Sequence, residues 1–126
     1  RNISESEMSY LKKNSSRIDI FWAKDKAKWD LKKFKKLIKN KTVYLTFDVD
    51  GLDSSIMPAT GTPEPGGLLW DETMKIIKIA ANSSNIVGGD INELAPIKGF
   101  DSYNFLAAKL AYKIISYSFE FRKLKY

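Results

Sequence analysis

Hydrophobic positions recur along this chain at two spacings, one helical and one extended, and the switches between them fall at polar or Gly/Pro punctuation. Ser4 stands three residues before Glu7, the spacing of a reciprocal N-terminal cap, so residues 4–13 read as a helix that Asn14, Ser15 and Ser16 interrupt. Ile18, Ile20 and Trp22 alternate with polar neighbours, which predicts a short strand over residues 17–22 with one buried face. Asp30 is placed to cap a second helix running to about Ile38, closed by Asn40 and Lys41. Residues 42–47 are β-branched, aromatic and nearly continuously apolar, as in a strand buried on both faces. From Asp48 to about Leu69 the chain reads as one long loop punctuated by Gly51, Gly61, Gly66, Gly67, Pro58, Pro63 and Pro65. A structureless loop of about 20 residues is unusual and tends to be functional. Asp71 then heads a helix whose apolar face is Met74, Ile76, Ile77, Ile79 and Ala80, stopped at residues 82–85. A further buried strand starts at Asn85 and ends near residues 90–93. Asp101 caps the last helix, through Phe105, Leu106, Leu110, Ile114 and Ile115.

Helices and strands alternating in this way argue for an α/β fold, a parallel sheet in three α/β/α layers. About three strands are too few to cover their own faces and edges, so they are expected to belong to a larger sheet. At 126 residues the whole chain, 1–126, is sized for one domain. It opens on Arg1 rather than methionine, which suggests a piece of something longer.

Composition narrows the chemistry. A hydrophobic content of 44% suffices for a packed core, while no apolar run nears the roughly 20 residues of a membrane helix. The opening residues, Arg1 to Ser6, hold no apolar signal segment. The absence of cysteine excludes disulfides, zinc-thiolate sites and thiol catalysis, and suits a cytoplasmic setting. The absence of histidine removes the usual general base and commonest metal ligand, so any metal chemistry rests on carboxylates. The net charge of +6 is clustered, at Lys32, Lys33, Lys35, Lys36, Lys39 and Lys41 and again at Arg122, Lys123 and Lys125. The first cluster surrounds Trp29, Phe34, Leu37 and Ile38 at helical spacing, the wet face of an amphipathic helix rather than a nucleic-acid surface. The second reads as a frayed end. Neither nucleic acid nor a membrane is an expected partner.

Two predicted strands end in acid. In open parallel sheets, ligands bind beyond the carboxyl ends of the strands. Asp48 and Asp50 lie two residues apart in an extended segment and can aim at one point. Carboxylates that close repel unless a cation lies between them, and hard divalent ions favour oxygen ligands. Asp90 and Glu93 fall near the same rim. The glycine and terminal glutamate of a calcium-binding EF-hand are missing at their offsets. An Asp-x-Asp by itself is common on surfaces; its place between an apolar strand and a Gly/Pro loop is what makes it a candidate.

The wording of these segments is more specific still. Tyr44-Leu45-Thr46-Phe47-Asp48-Val49-Asp50-Gly51-Leu52-Asp53 resembles the S-F-D-x-D-x-x-D strand end of the ureohydrolases, the arginase/agmatinase family. Pro58-Ala59-Thr60-Gly61-Thr62-Pro63-Glu64-Pro65-Gly66-Gly67 resembles that family's P-x-T-G-T-P-x-x-G-G loop, and Asp90-Ile91-Asn92-Glu93-Leu94-Ala95-Pro96 its D-x-x-E-x-x-P segment. Arg1-Asn2-Ile3-Ser4 resembles its R-x-I-S step, and residues 101–111 its closing helix. The resemblance implies the C-terminal half of an arginase-like fold. It also implies a manganese enzyme in which two Mn²⁺ ions hold a bridging hydroxide that attacks a guanidinium carbon, releasing urea and an amine. By the motif match Asp48 bridges both ions and Asp50 binds one, so both are metal ligands and catalytic. Glu93 holds the substrate guanidinium. Asp53 orients the loop without touching metal, its alternative being a plain turn residue; for Glu93 the alternative is a capping or surface acid. Asp90 serves structure, and residues 60–63 shape the floor of the site.

Departures from the family pattern set expectations too. The histidine-bearing G-G-D-H and D-A-H-x-D segments are missing, so these carboxylates should bind manganese weakly and the chain by itself should be inactive. Ser54 stands where many members have proline. Residues 64–67 and 92–96 look more like agmatinases, making agmatine the favoured substrate, with arginase and guanidinobutyrase types open. A non-catalytic module is the competing interpretation. Members of the family assemble as trimers or hexamers, so a homo-oligomer is implied.

Overall fold

The structure is a computed structural model that describes residues 3–122. Arg1 and Asn2 of the R-x-I-S step, and Lys123 and Lys125 of the second basic group, lie outside the described residues.

The first helix, α1 (Glu5–Lys13), starts as its sequence dictates. The Ser4 hydroxyl accepts from the Glu7 amide, and Glu7 accepts from the Ser4 amide at 2.7 Å. None of its residues is buried. Residues 17–22 form no strand, correcting the alternation. Ile20 and Trp22 are exposed, and the side chain that turns inward is Phe21, edge-on to Trp29 at 6.0 Å and to Phe34 at 5.9 Å. An aromatic cluster therefore organises this stretch, with a 3-10 helix at Ala23–Lys28 that no periodicity announces. Helix α2 (Leu31–Ile38) is capped by Asp30, whose carboxylate accepts from the Lys32 and Lys33 amides. Its lysines are exposed while Phe34, Leu37 and Ile38 are half-buried, as an amphipathic helix requires.

Strands β1 (Thr42–Asp48) and β2 (Asn85–Asn92) run parallel, in register from Thr42 opposite Asn85 to Asp48 opposite Asn92. The register slips between Val43 and Tyr44, leaving Val87 without a partner across β1. Between the strands the chain passes through helix α3 (Trp70–Ser83), and after β2 comes α4 (Asp101–Glu120). Neither helix is headed by the expected aspartate. Glu72, not Asp71, reaches back to the Leu69 amide at 2.8 Å, and α4 starts after Phe100 with Asp101 already in its first turn.

One face of the sheet carries the main core. Ile77, Ala80 and Ala81 of α3, Leu110, Ile114 and Tyr117 of α4, and Ile86 pack together, with Leu45, Phe47 and Ile91 against them. Fully burying a side chain such as Leu110 contributes about 1.5–3 kcal/mol. β1 is not buried on both sides as expected, because its residues alternate between half-buried and exposed. Among the described residues the sheet has two strands, and no helix is long and apolar enough to cross a membrane.

Candidate active site

The loop after β1 is neither helix nor strand, yet it is far from structureless. Val49, Leu52, Met57 and Ala59 are all buried, forming a second core with Ala107 of α4. A short 3-10 turn at Val49–Gly51 directs the chain into it. The outgoing arm then pairs with the returning arm in a small parallel bridge, with the Leu68 amide donating to the Gly51 carbonyl and the Asp53 amide to the Leu68 carbonyl, both at 2.9 Å. Gly67 makes this approach possible, since a Cβ there would lie 2.4 Å from the Leu52 carbonyl carbon and oxygen.

Asp53 ties the two arms through its side chain. One carboxylate oxygen accepts from the Ser55 amide at 2.9 Å and hydroxyl at 2.6 Å; the other accepts from the Gly66 amide at 2.7 Å and the Gly67 amide at 3.2 Å. The Ser55 hydrogen bonds above all, with those of Gly66 and Gly67 beside them, hold its carboxyl down at about 2. Ser54 has a use as well: its amide donates to the Glu64 carbonyl at 3.2 Å, a bond that proline could not make.

At the rim, Asp48 is exposed at the last position of β1, and Asp50 follows one residue into the 3-10 turn. Thr62, from the T-G-T-P part of the loop, donates its hydroxyl to Asp50 at 2.9 Å. β2 brings its own end alongside, because Asn92 is the register partner of Asp48 and Glu93 comes next. Glu93 is exposed and adopts a left-handed backbone, φ 65°, a conformation rare outside glycine and concentrated at functional positions. The segment beyond it is fastened to the loop by the Ala95 amide on the Ala59 carbonyl at 2.9 Å. Asp48, Asp50 and Glu93 thus share one rim, with Asp53 behind them in the wall of the loop.

Asp90 lies lower on the sheet, in a polar network on its outer face. It accepts from the Thr46 hydroxyl and the Asn92 side-chain Nδ2, both at 2.6 Å. The Thr46 bond first, then those of the Tyr44 hydroxyl and Asn92, lower its pKa, while the same carboxylate raises that of Tyr44. Such local satisfaction suits the structural role expected of Asp90. The sequence placed Thr62 only within residues 60–63, the expected floor of the site, and gave Thr46 and Tyr44 no role beyond the strand-end motif. Thr62 and Asp50 are twelve residues apart, and only the closed loop brings them together.

The donor chemistry here suits a hard divalent cation, since Asp48 and Asp50 offer carboxylate oxygen. The number falls short. Among the described residues no group of three His, Cys, Asp or Glu side chains comes together as a metal site would require.

Comparison with known proteins gives this geometry a context. The sequence profile of the arginase family matches residues 1–116. The N(1)-aminopropylagmatine ureohydrolase of Synechocystis sp. is 36% identical over 128 aligned positions, covering 99% of this chain and 41% of that protein. The agmatinase of Serratia proteamaculans is 42% identical over 78 positions, 62% of this chain and 25% of its own length. Among solved structures, the agmatine ureohydrolase of Thermoplasma volcanium superposes with a TM-score of 0.68 at 31% identity, over 82% of this chain and 36% of that one. The arginase-like α/β fold expected from the sequence is therefore present in part, and the chain spans about two fifths or less of the relatives it matches.

Proposed function

The chain belongs to the arginase family, and on that premise we propose that it carries the carboxylate side of a ureohydrolase site, one that converts a linear guanidine to an amine and urea. The observation that supports this best is the rim itself. β1 ends on Asp48, Asp50 follows within a closed Gly/Pro loop, and β2 ends beside them on Glu93. In this reading Asp48 and Asp50 would hold the Mn²⁺ that the family implies, which when bound would supply a nucleophile from water at neutral pH. Glu93 receives the flat guanidinium cation through charge-assisted hydrogen bonds and holds its carbon toward the carboxylates. Thr62 fixes how the Asp50 carboxylate is turned, and Asp53 keeps the loop closed around it. Agmatine, free or aminopropylated, is the favoured substrate, in keeping with the names of the relatives; arginine is the alternative. The remaining metal ligands would come from outside these 126 residues, so the chain by itself binds manganese weakly.

Manganese titration by calorimetry, with urea release from agmatine, N(1)-aminopropylagmatine and arginine assayed on the same sample, tests this. Weak binding that Asp48→Asn and Asp50→Asn each reduce, without urea release, is the expected result. Urea from one of the three guanidines would name the substrate and show that a further subunit completes the site. Manganese binding indifferent to both substitutions would sink the assignment.

A further inference from the structure

Lys26 lies in the 3-10 helix Ala23–Lys28, 22 residues before the candidate rim, in a stretch the motifs do not touch. Its side chain is only 26% exposed and ends between two acceptors. The ammonium group donates to the Gly67 carbonyl at 2.7 Å and to the Glu72 carboxylate at 2.9 Å. Each acceptor belongs to the frame of the loop. Gly67 is the cramped residue of the returning arm, its amide on Asp53, and Leu68 beside it is bonded to Gly51 and Asp53. Glu72 also accepts from the Leu69 amide, where the loop becomes α3. The Lys26 bond above all, then that from Leu69, lowers the pKa of Glu72, which keeps its carboxylate ionised at neutral pH. The lysine ammonium has three donors, enough to serve both acceptors at once.

We propose that Lys26 is a positioning residue for the candidate site: by clamping the Gly67 carbonyl to Glu72 it fixes the returning arm, and through the bridge to Gly51 it fixes where Asp50 stands. The inference rests on the reading of Asp48 and Asp50 as metal ligands. An isolated, partly exposed ion pair stabilises little. The bond to the Gly67 carbonyl distinguishes Lys26, since it holds backbone that is paired to the residue directly after Asp50.

Two NMR measurements on the whole chain separate the parts of this claim. Amide hydrogen exchange at residues 66–69 reports the clamp without any metal, and Mn²⁺ titration followed by paramagnetic broadening at residues 48–50 reports the site. Lys26→Met is expected to speed exchange at residues 66–69 about tenfold and to raise the manganese midpoint about threefold, with β1 and β2 resonances unmoved. Lys26→Arg, which keeps a cationic donor of similar reach, is expected to restore both to within about twofold. Unchanged exchange in Lys26→Met, or failure of Lys26→Arg to restore it, would overturn the clamp. Faster exchange with an unchanged midpoint would reduce Lys26 to a structural contact and overturn positioning. Broadening in the unsubstituted chain that misses residues 48–50 would overturn the site reading, and the inference with it, independently of the exchange result.

Discussion

The loop over residues 48–69 and the N-terminal arm over residues 4–30 are opposites in how they are ordered. The arm contains a well-capped helix and a 3-10 helix, yet neither buries a single residue. The loop has one short 3-10 turn and otherwise irregular backbone, yet Val49, Leu52, Met57 and Ala59 are sealed from solvent beneath it. In the arm, α1 is ordered locally, by hydrogen bonds three or four residues apart, and Lys26 is the arm's long-range tie to the loop. In the loop, order is long-range, carried by Leu68 on Gly51, Asp53 on Gly66, and Ala95 on Ala59. Regular secondary structure is thus a poor guide to which region holds its shape; burial and the satisfaction of backbone groups are better ones. A catalytic loop needs the second kind of order, because its side chains must keep their places without a ladder to hold them.

The largest expected effect sets a fully buried side chain of the loop against a half-buried one of the arm. Leu52→Ala leaves a cavity at a position 1% exposed and should cost about 2–5 kcal/mol in urea denaturation. Leu11→Ala, in the half-buried face of α1, should cost less than about 1 kcal/mol. Equal costs would mean that the loop's core contributes no more than the arm's surface, and the contrast would fail.

Acid provides the next test, with an intermediate effect. The hydrogen bonds from Ser55, then Gly66 and Gly67, hold the folded Asp53 carboxyl at about 2, below the ordinary aspartate range. A depressed carboxylate contributes stability that is fully present above its unfolded pKa and lost as pH falls through the folded one. The loop clamp should therefore hold from neutral pH down to about 4 and release between about 4 and 2. Amide proton shifts of Ser55, Gly66 and Gly67 should titrate together with a midpoint near 2, following the Asp53 carboxyl that they donate to. In Asp53→Asn that transition should vanish, and the Gly66 and Gly67 amides should exchange faster at every pH. A midpoint near an ordinary aspartate value would show that the two arms are not held by this side chain.

The same contrast explains what could be read from the sequence. The caps of Ser4 with Glu7 and of Asp30 with the Lys32 amide were legible, because a side-chain N-cap residue marks them within three residues. So were both strands, and the meeting of their ends at Asp48 and Asn92, since strand ends in a parallel sheet converge by topology. Residues 17–22 misled because Ile18, Ile20 and Trp22 alternate while the inward residue is Phe21, chosen by Trp29 and Phe34. Asp71 and Asp101 misled because aspartate serves the first helical turn as well as the cap. Thr62 on Asp50 and Lys26 on Gly67 could not be seen at all, separated as they are by 12 and 41 residues. The closed loop creates those contacts, and no local pattern precedes them.

The smallest effect belongs to the arm. Ser4→Ala removes the hydroxyl that accepts from the Glu7 amide, and it also removes a bond that helps hold the Glu7 carboxyl below its usual value, second to that of the Ser4 backbone. Losing such a cap costs the helix about 1 kcal/mol. With no residue of α1 buried, that cost has little route to the rest of the molecule. Carbonyl shifts and amide exchange over residues 5–10 should report a frayed first turn, while the urea midpoint of the chain and the resonances of residues 48–69 stay where they were. A fall in the global midpoint as large as that of Leu52→Ala would mean that α1 is coupled to the core, and the local order of the arm would have to be reconsidered as part of the fold's long-range order.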